Sequence, residues 1–328
     1  MKTAALLQLP GNPFILAYWL RNYERVWKSE VDELHVFVNG CKNAEILETD
    51  RKLVEAAGGR FDAQPGRMVH GSATQHLFRG CDADYVMLVE DDAFVCVSEA
   101  VASAIWEVQN GTVIGSPRGG MSAEVVAAAR ELWGPDPVGP DGSEGYGLWP
   151  CFLFGPRQQL ANVLPGFPSR AWKPGEVIGG INRAFPDIVT TDTFTLSAFL
   201  LREHGLLGRY EGQWKELWLR DLNAARTRAG YNPPWFHAGG LSNEDYFNGG
   251  GALGARPNVG GNNEGNDWAH RIWWWRRCVE TAPTNLLPDM QTHYHRKLDE
   301  LTTYLDVHAE VEAWELGESA WISWDDQA

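Results

Sequence analysis

One short apolar run followed by three acidic residues constrains the fold of this chain more than any other feature. Residues 85–89 are apolar without interruption, and Glu90, Asp91 and Asp92 follow them directly. A run of this kind indicates a strand that is buried on both faces, as in a parallel sheet. Because buried charges without partners are strongly unfavourable, the three carboxylates are expected to face solvent, to pair with arginine or to hold a cation.

The rest of the chain alternates short apolar runs with amphipathic stretches, which is the pattern of strands joined by crossover helices. Strands are predicted at residues 4–9, 34–38, 60–63, 85–89, 112–115 and 149–154. Helices are predicted at residues 14–27, 44–57, 70–79, 98–109, 122–133, 156–163, 191–204 and 289–305. The sequence therefore predicts an α/β fold with a mostly parallel central sheet flanked by helices.

Two changes in composition indicate the domain organisation. Proline and glycine are concentrated at residues 134–142, and glycine-rich stretches dominate beyond about residue 231. We therefore divide the chain into one half of a domain at 1–133, the second half of the same domain at 134–240, and a loop-rich and helical C-terminal extension at 241–328.

Charge and composition argue against several classes of protein. A formal net charge of −15 argues against a surface that binds polyanions as a whole, although it allows a local basic groove. The apolar runs are too short to cross a bilayer, and the first residues lack the cleavage site of a secretory signal. Five cysteines without close paired spacing indicate reduced thiols. We expect a cytoplasmic protein.

The segment at residues 70–93 gives the acidic residues a wider context. Its order of helix, Asp84-Tyr85, apolar strand and acidic triplet resembles the metal-binding segment of glycosyltransferases of the GT-A type. The order of elements resembles that family over roughly residues 1–240, whereas only this segment matches closely. Many relatives have Asp at the position of Glu90, so the triplet is a variant of their DXD motif. The resemblance implies a GT-A (Rossmann-like) fold and a nucleotide-diphosphate sugar as donor.

The resemblance also implies a divalent cation, Mn²⁺ or Mg²⁺, at the acidic triplet. It assigns Asp92 as the main metal ligand, Asp91 as a contact to the ribose or sugar of the donor, and Glu90 as a water-mediated partner of the metal. These ions prefer oxygen ligands and retain waters, so one or two carboxylates and the phosphate oxygens suffice. For Glu90, a plain surface carboxylate is an equally good interpretation.

In the family layout, the ends of the first two strands hold the nucleotide base. Pro10, Asn12 and Asn39 occupy those positions, and an asparagine amide offers both a donor and an acceptor to a base edge. Each asparagine is explained equally well as a turn former. By the same resemblance, Arg67 and His70 are expected near the phosphates.

An inverting transferase needs a general base for the acceptor hydroxyl, and the family often places it at the start of a helix. Asp192 matches that location, with Asp187 and Glu176 in reserve. The alternative is a capping role, because aspartate is favoured at helix starts by its hydrogen bonds and its charge. A retaining mechanism would need no such base.

Later segments contain four further candidate contacts. His237 is a candidate metal ligand of the kind that many relatives recruit, although a single histidine is more often structural. Trp149 follows the proline- and glycine-rich segment, where an acceptor is expected to stack. Trp273 and Arg276 belong to a tryptophan and arginine block at residues 268–277. This block predicts either an acceptor platform or an amphipathic helix that docks its tryptophans on the core.

The sequence thus predicts a metal-dependent glycosyltransferase, with a UDP-sugar favoured as donor. An inverting mechanism with an aspartate base is favoured, and a retaining mechanism stays open. A glycan, a lipid-linked sugar or a small molecule is a candidate acceptor. So is a hydroxymethylated DNA base, which the tryptophan and arginine block supports and the net charge opposes. Two other classes stay open: a nucleotidyltransferase, although no Gly-rich phosphate loop follows the first strand, and a carbohydrate-binding protein without catalysis.

Overall fold

A six-stranded, mostly parallel sheet forms the centre of the molecule. The computed structural model describes residues 1–118, 121–136, 145–208, 217–218, 235–237, 265–283, 286–309 and 311–312. The first seven strands are β1 Thr3–Leu9, β2 Glu33–Asn39, β3 Arg60–Gln64, β4 Tyr85–Glu90, β5 Ala93–Val95, β6 Ile114–Arg118 and β7 Gly147–Pro156. All of them except β5 belong to the central sheet, in the order β3-β2-β1-β4-β7-β6.

Strand direction confirms the predicted α/β class. β1 is parallel to β2 and to β4, and β2 is parallel to β3, whereas β7 is antiparallel to both β4 and β6. The order of the strands reverses at β1, because β2 and β3 extend the sheet on one side and β4 extends it on the other. In open α/β sheets, such a switch point creates a crevice at the carboxyl ends of the strands, where ligands bind.

Helices cover both faces of this sheet. They are α1 Pro13–Asn22, α2 Ala44–Ala56, α3 His70–Arg79, α4 Ser98–Val108, α5 Ala123–Trp133, α6 Arg157–Asn162, α7 Thr195–Glu203, α8 Gly265–Glu280 and α9 Pro288–Leu305. α3 has the predicted bounds, and α2, α4 and α5 differ from prediction by one residue at one end. The helix predicted at 14–27 ends earlier and continues as a π-helical segment, Tyr23–Trp27.

Four short strands lie between α6 and α7. They are β8 Arg170–Trp172, β9 Val177–Ile178, β10 Arg183–Ala184 and β11 Val189–Thr191, and they form the antiparallel pairs β8–β11 and β9–β10. The start of the helix predicted at 191–204 is therefore wrong. Val189, Thr190 and Thr191 are β-branched, which favours a strand, and α7 begins only at Thr195.

Alternation along the strands divides the core between the two faces of the sheet. Ala5, Leu7 and Leu9 of β1 belong to a cluster with α1, α2, α4, α8 and α9. Ala4 and Leu6 belong to a second cluster, with α3, α6 and α7. Successive residues of a strand point to opposite faces, so β1 contributes to both clusters and is buried on both sides.

The two C-terminal helices belong to the first of these clusters. Trp274 of α8 is fully buried, and its ring centroid lies 5.2 Å from that of Tyr18 and 4.8 Å from that of Phe94. Tyr294 of α9 contacts Phe14, with 5.3 Å between ring centroids. The described part of the predicted extension is thus packed on the first half of the chain. Among the helices of the described ranges, none has the length and apolar character needed to span a bilayer.

Candidate functional site

A cavity of about 220 Å³ opens at the carboxyl ends of β1, β2 and β4, at the switch point of the sheet. Its wall consists of strand-end residues and the loop before α3: Gln8, Leu9, Pro10, Asn39, Arg67, Met68, His70, Glu90 and Asp91. The structure therefore brings together most of the residues that the sequence predicted for the donor and the metal.

Two glycines allow the loops to pack closely around this cavity. Gly11 and Gly40 have φ angles of +99° and +98°, a left-handed conformation that favours glycine. A Cβ atom on Gly11 would lie 2.7 Å from Cβ of Cys41, and one on Gly40 would lie 2.9 Å from Cβ of Arg67. The turn after β1, the turn after β2 and the loop of Arg67 thus meet at positions without room for a side chain.

Asn39 holds the loop that carries Arg67. Its Oδ1 accepts a hydrogen bond from the backbone N–H of Met68 at 2.9 Å, and its Nδ2 donates to the carbonyl of Met68 at 3.0 Å. The residue is buried. Both ends of the amide therefore bind the backbone of Met68, which fixes part of the cavity wall, and the predicted contact of Asn39 with a base stays a prediction.

Asn12 is a helix cap. Its Oδ1 accepts from the backbone N–H groups of Phe14 and Ile15 at 3.1 and 3.2 Å, and its Nδ2 lies 3.4 Å from the hydroxyl of Tyr294. The side chain is buried and is not part of the cavity wall, whereas the neighbouring Pro10 is. The predicted base contact of Asn12 is therefore corrected to a capping role, because the start of α1 uses the same oxygen that a base would need.

The acidic triplet runs from the cavity wall into the interior. Glu90 pairs with Gln8 in the sheet, and its Oε1 lies 3.4 Å from Nε2 of His70. The Glu90 side chain is 17% exposed, whereas Asp91 and Asp92 are each only 2% exposed. Asp91 lines the cavity and Asp92 lies next to it in the chain, away from the wall. Buried carboxylates are stabilised by hydrogen-bond donors or by positive charge, and a divalent cation is one source of such charge.

Asn22 fixes the segment that follows the triplet. Its Nδ2 donates to the carbonyl of Val95 at 2.8 Å, and its Oδ1 accepts from the N–H of Val95 at 3.1 Å. The indole N–H of Trp27 donates to the same Oδ1 at 3.2 Å. Because Asn22 is buried, these bonds hold β5 firmly on the end of α1, only three residues beyond Asp92.

β5 also brings the predicted histidine into the neighbourhood. Two short strands beyond α7, β12 Leu217–Trp218 and β13 Trp235–His237, pair in parallel with each other. β13 also pairs with β5 in antiparallel register, and His237 lies opposite Ala93, the residue after Asp92. Only the backbone of His237 belongs to the described part of the structure, so its role as a metal ligand stays a prediction. In the fold, its backbone nevertheless lies beside the residue that follows the acidic triplet.

The donor atoms of the triplet fit a hard divalent cation. Carboxylate oxygens are the ligands that Mg²⁺ and Mn²⁺ prefer, and few protein ligands are needed when phosphate oxygens complete the shell. Within the described side chains, which exclude that of His237, no group of three or more His, Cys, Asp or Glu residues is placed to hold a metal by itself. The residues present therefore fit a cation that is shared with a phosphate-bearing ligand.

Asp192 lies in the turn between β11 and α7, not at the helix start. Its Oδ1 accepts from the N–H of Thr193 at 2.7 Å, and its carbonyl accepts from the N–H of Thr195 at 3.1 Å. It is half-buried and is not part of the cavity wall. Of the reserve candidates, Asp187 is exposed, and Glu176 accepts from the N–H of Lys173, a hydrogen bond that lowers the pKa of Glu176 and weakens it as a base.

β7 extends past the end of β4. Phe152 pairs with Val89, and Trp149 pairs with Ser116 of β6. Because β7 is antiparallel to β4, the residues before Phe152 extend beyond the carboxyl end of β4, at the same edge of the sheet as the cavity. The described part of Trp149 is its backbone, so its contact with an acceptor stays a prediction.

The described side chains of the tryptophan and arginine block, from Ile272 onward, pack on the core and on α9. Trp273 is only 5% exposed and packs in the core, with its ring centroid 5.2 Å from that of Trp274. Arg276 pairs with Asp299 of α9 at 3.0 Å and donates to the hydroxyl of Thr302 at 3.1 Å. The burial of Trp273 and the ion pair of Arg276 with α9 favour the amphipathic docking helix, and neither residue lines the cavity.

Gln8 and Met68 line the cavity but were not predicted from the sequence. Gln8 could have been recognised from the sequence, because it is the single amide in the otherwise apolar end of β1. In the structure, the hydroxyl of Thr74 donates to its Oε1 at 3.1 Å. Met68 had none, because an apolar residue in a loop is compatible with many environments.

Comparison with known proteins adds limited information. No protein-family model matches the chain, and no curated protein matches it. Among solved structures, it is similar to a mycobacterial protein, with 18% identity over 53% of this chain and 57% of that chain, at a TM-score of 0.36.

Glucosyl-3-phosphoglycerate synthase from Mycobacterium tuberculosis is similar to the same degree. Its complex with Mn²⁺, UDP and glucosyl-3-phosphoglycerate matches with 18% identity over 48% of this chain and 58% of that chain, at a TM-score of 0.34. Its complex with Mn²⁺ and UDP-glucose matches with 18% identity over 48% and 57%, at the same TM-score of 0.34. The chain thus spans less than two thirds of these structures, and similarity at this level carries no conclusion about activity.

Proposed function

We propose that the chain is a metal-dependent glycosyltransferase that takes a sugar from a nucleotide-diphosphate donor, with a UDP-sugar in first place. The observation that carries the proposal is the mixed charge of the cavity wall, where Arg67 and His70 meet Glu90 and Asp91. A nucleotide diphosphate with a bound cation presents charges of both signs to the protein. Arginine binds phosphate oxygens through several parallel donors, and carboxylates bind the cation.

The metal is proposed to bind at Asp92, with Glu90 as a water-mediated partner and His237 as an additional ligand from β13. Asp91 is proposed to contact the ribose or sugar of the donor. These assignments are supported by the burial of Asp91 and Asp92 and by the backbone pairing of His237 with Ala93. A divalent cation at this position would neutralise the negative charge that develops on the diphosphate as the sugar leaves. Arg67 and His70, which line the same cavity, are proposed to stabilise the same charge.

Asp192 is proposed as the general base of an inverting transfer. The acceptor oxygen attacks the anomeric carbon while its proton passes to the Asp192 carboxylate. The bond between the anomeric carbon and the diphosphate oxygen breaks, and its electron pair leaves with the diphosphate. A half-buried carboxylate in a turn is accessible to a proton donor, which is what this role requires.

A glycan or a small molecule is the acceptor that we propose. A hydroxymethylated DNA base is not proposed as the acceptor. The block that favoured it packs within the protein, since Trp273 is buried and Arg276 pairs with Asp299. The net charge of −15 also disfavours a polyanionic acceptor.

A thermal-shift panel of nucleotide diphosphates and their sugars, with and without Mn²⁺, tests the proposal. We expect one nucleotide diphosphate, UDP first, to raise the melting temperature in a Mn²⁺-dependent way, because a ligand that binds only the native state stabilises it. The corresponding nucleotide sugar should then be hydrolysed slowly, with water as the acceptor. Absence of any shift would contradict the proposal.

A matched pair of variants separates the metal site from general surface charge. Asp92→Asn is expected to remove the Mn²⁺ dependence of the shift. Asp82→Asn should leave it unchanged, because Asp82 precedes the opposite end of β4 and its side chain is 81% exposed. Binding of a sugar without hydrolysis or transfer would instead indicate a carbohydrate-binding protein, and release of pyrophosphate from a nucleoside triphosphate would indicate a nucleotidyltransferase.

A further inference from the structure

Residues 164–168, which we call the bridge, connect the cavity to the segment of Asp192. We propose that the bridge sets the position of Asp192 relative to the bound donor, and that Gly71 and Gly166 are positioning residues on its two sides. This inference rests on the proposed function, since it concerns the base of that reaction.

On the cavity side, the bridge packs directly against α3. Gly71 follows His70 of the cavity wall, and a Cβ atom on Gly71 would overlap the carbonyl oxygen of Phe167 and lie 2.5 Å from Cα of Pro168. The side chain of Gln75, one turn further along α3, donates to the carbonyl of Leu164. The bridge backbone therefore lies so close to α3 that position 71 has no room for a side chain.

On the other side, the bridge packs against the start of α7. The N–H of Phe194 donates to the carbonyl of Phe167 at 2.9 Å, and the two rings lie 4.3 Å apart between centroids. A Cβ atom on Gly166 would lie 2.6 Å from the backbone nitrogen of Ser197, whose hydroxyl donates to the carbonyl of Val163 at 3.0 Å. The bridge thus makes close backbone contacts with α3 on one side and with the start of α7 on the other.

A single carbonyl group joins the two sides. The oxygen of Phe167 lies against Gly71 and accepts the hydrogen bond of Phe194, which is two residues beyond Asp192. Only one backbone group therefore separates the residue next to His70 from the turn of Asp192. Any displacement of this carbonyl moves the hydrogen bond that determines where the turn lies.

The turn itself is held in an unfavourable conformation. Phe194 has a φ angle of +63° and is fully buried. A bulky residue in the left-handed region persists only where its surroundings enforce it, and such residues cluster at functional sites. Phe194 is held here by its hydrogen bond and ring contact with Phe167, so the bridge contacts the backbone two residues after Asp192.

α3 contributes three buried residues to the core cluster to which the bridge contributes Phe167. Ala73, Leu77 and Phe78 of α3 are buried in the core. A methyl group added at Gly71 is therefore expected to move the bridge and Asp192, while His70 and the donor cavity keep their places. A misplacement of about 1 Å in a reacting group can lower the rate about 100-fold.

The test compares hydrolysis of UDP-glucose, in the presence of Mn²⁺, with the affinity for UDP measured by calorimetry. Gly71→Ala and Gly166→Ala, which act from opposite sides of the bridge, are each expected to lower kcat at least about 10-fold with the Kd for UDP changed less than about 3-fold. Gly80→Ala and Gly179→Ala are matched controls, because the nearest atoms to their added Cβ are at 3.5 and 3.4 Å. Neither control should alter kcat or Kd.

A double-variant cycle identifies the positioning role. In the Asp192→Asn background, Gly71→Ala should cause little further loss, because the group that it misplaces is already inactive. A general structural defect would instead multiply the two losses. If both alanine variants fail to fold, Gln75→Met decides, since it removes only the hydrogen bond to Leu164 and should lower kcat a few-fold without changing the Kd for UDP.

Three results would overturn the inference. The first is a parallel loss of UDP affinity and kcat, the second is unchanged kcat in folded Gly71→Ala and Gly166→Ala, and the third is full multiplication of the losses in the double variant. Wild-type protein that binds no nucleotide diphosphate of the panel and hydrolyses no nucleotide sugar would overturn the proposed function and this inference together. That failure is distinguishable because it is seen before any variant is made.

Discussion

The cavity edge and helix α8 are both rich in residues that bind ligands in other proteins, yet the fold uses them in opposite ways. At the cavity, Arg67, His70, Glu90 and Asp91 line an open space at the ends of three strands. In α8, Trp273, Trp274 and Trp275 are buried in the core with the aromatic residues of α1 and α9. The residues of the first region line a cavity with charged groups, and those of the second contribute buried apolar surface to the core.

The difference between the two regions lies in which neighbours satisfy each side chain. Asn39 and Asn22 use their amides to fix the backbone of Met68 and of Val95, so they hold in place the segments around the charged wall of the cavity. Arg276 is engaged by Asp299 and Thr302 of α9, so its cationic group serves helix packing. Residue type alone therefore does not separate a binding group from a structural one, whereas its hydrogen-bond partners do.

The largest effect is expected from removal of a core tryptophan. Trp274→Ala should lower the free energy of unfolding by about 3–5 kcal/mol, because a large buried ring leaves a cavity between Tyr18 and Phe94. Urea unfolding followed by circular dichroism measures it. Trp106→Ala is the control, since Trp106 is 74% exposed and should change stability by about 0.5 kcal/mol at most. Equal effects of the two substitutions would contradict the structural role of α8.

Metal removal should act only on the cavity. Chelation with EDTA is expected to lower UDP-glucose hydrolysis at least about 100-fold, since a divalent cation contributes several kcal/mol to stabilisation of a leaving diphosphate. Added Mn²⁺ should restore the rate in the wild type and in Asp82→Asn, but not in Asp92→Asn. Hydrolysis that persists in EDTA would remove the metal from the proposed site and leave Asp91 and Asp92 as structural carboxylates.

Arg67 is expected to contribute to donor affinity without contributing to stability. Arg67→Gln should raise the Kd for UDP about 10-fold, because a charge-assisted hydrogen bond to phosphate is lost. Arg51→Gln is the control, since Arg51 lies on the exposed surface of α2 and pairs with Glu48 and Glu55. Calorimetry measures both. An unchanged Kd in Arg67→Gln would place the phosphates away from this wall.

The sequence predicted the elements whose signals are local. The apolar run of β4 and the amphipathic pattern of α3 depend only on neighbouring residues, and both elements were found where they were expected. The position of the acidic triplet at a sheet edge followed from the same pattern. These local signals explain why the central sheet and most of the cavity wall were predictable.

The roles of individual polar residues depended on contacts that are distant in the chain. Asn12 meets Tyr294, which is 282 residues away, and Asn39 meets Met68, which is 29 residues away. An asparagine amide is chemically the same in a cap, in a loop contact and in a base contact, so the sequence could not distinguish them. The burial of Trp273 was equally hidden, because an amphipathic pattern does not reveal what covers the apolar face.

The smallest effect is expected from a substitution in α8, the structural helix of the comparison. Arg276→Gln should lower the free energy of unfolding by less than about 1 kcal/mol, because Asp299 is 73% exposed and water screens the ion pair. UDP affinity and UDP-glucose hydrolysis should stay unchanged, since the arginine lies between two helices and not at the cavity. A rate that falls while stability is unaltered would instead show that α8 contributes to binding. The distinction between a ligand-binding cavity and a purely structural helix α8 would then be wrong.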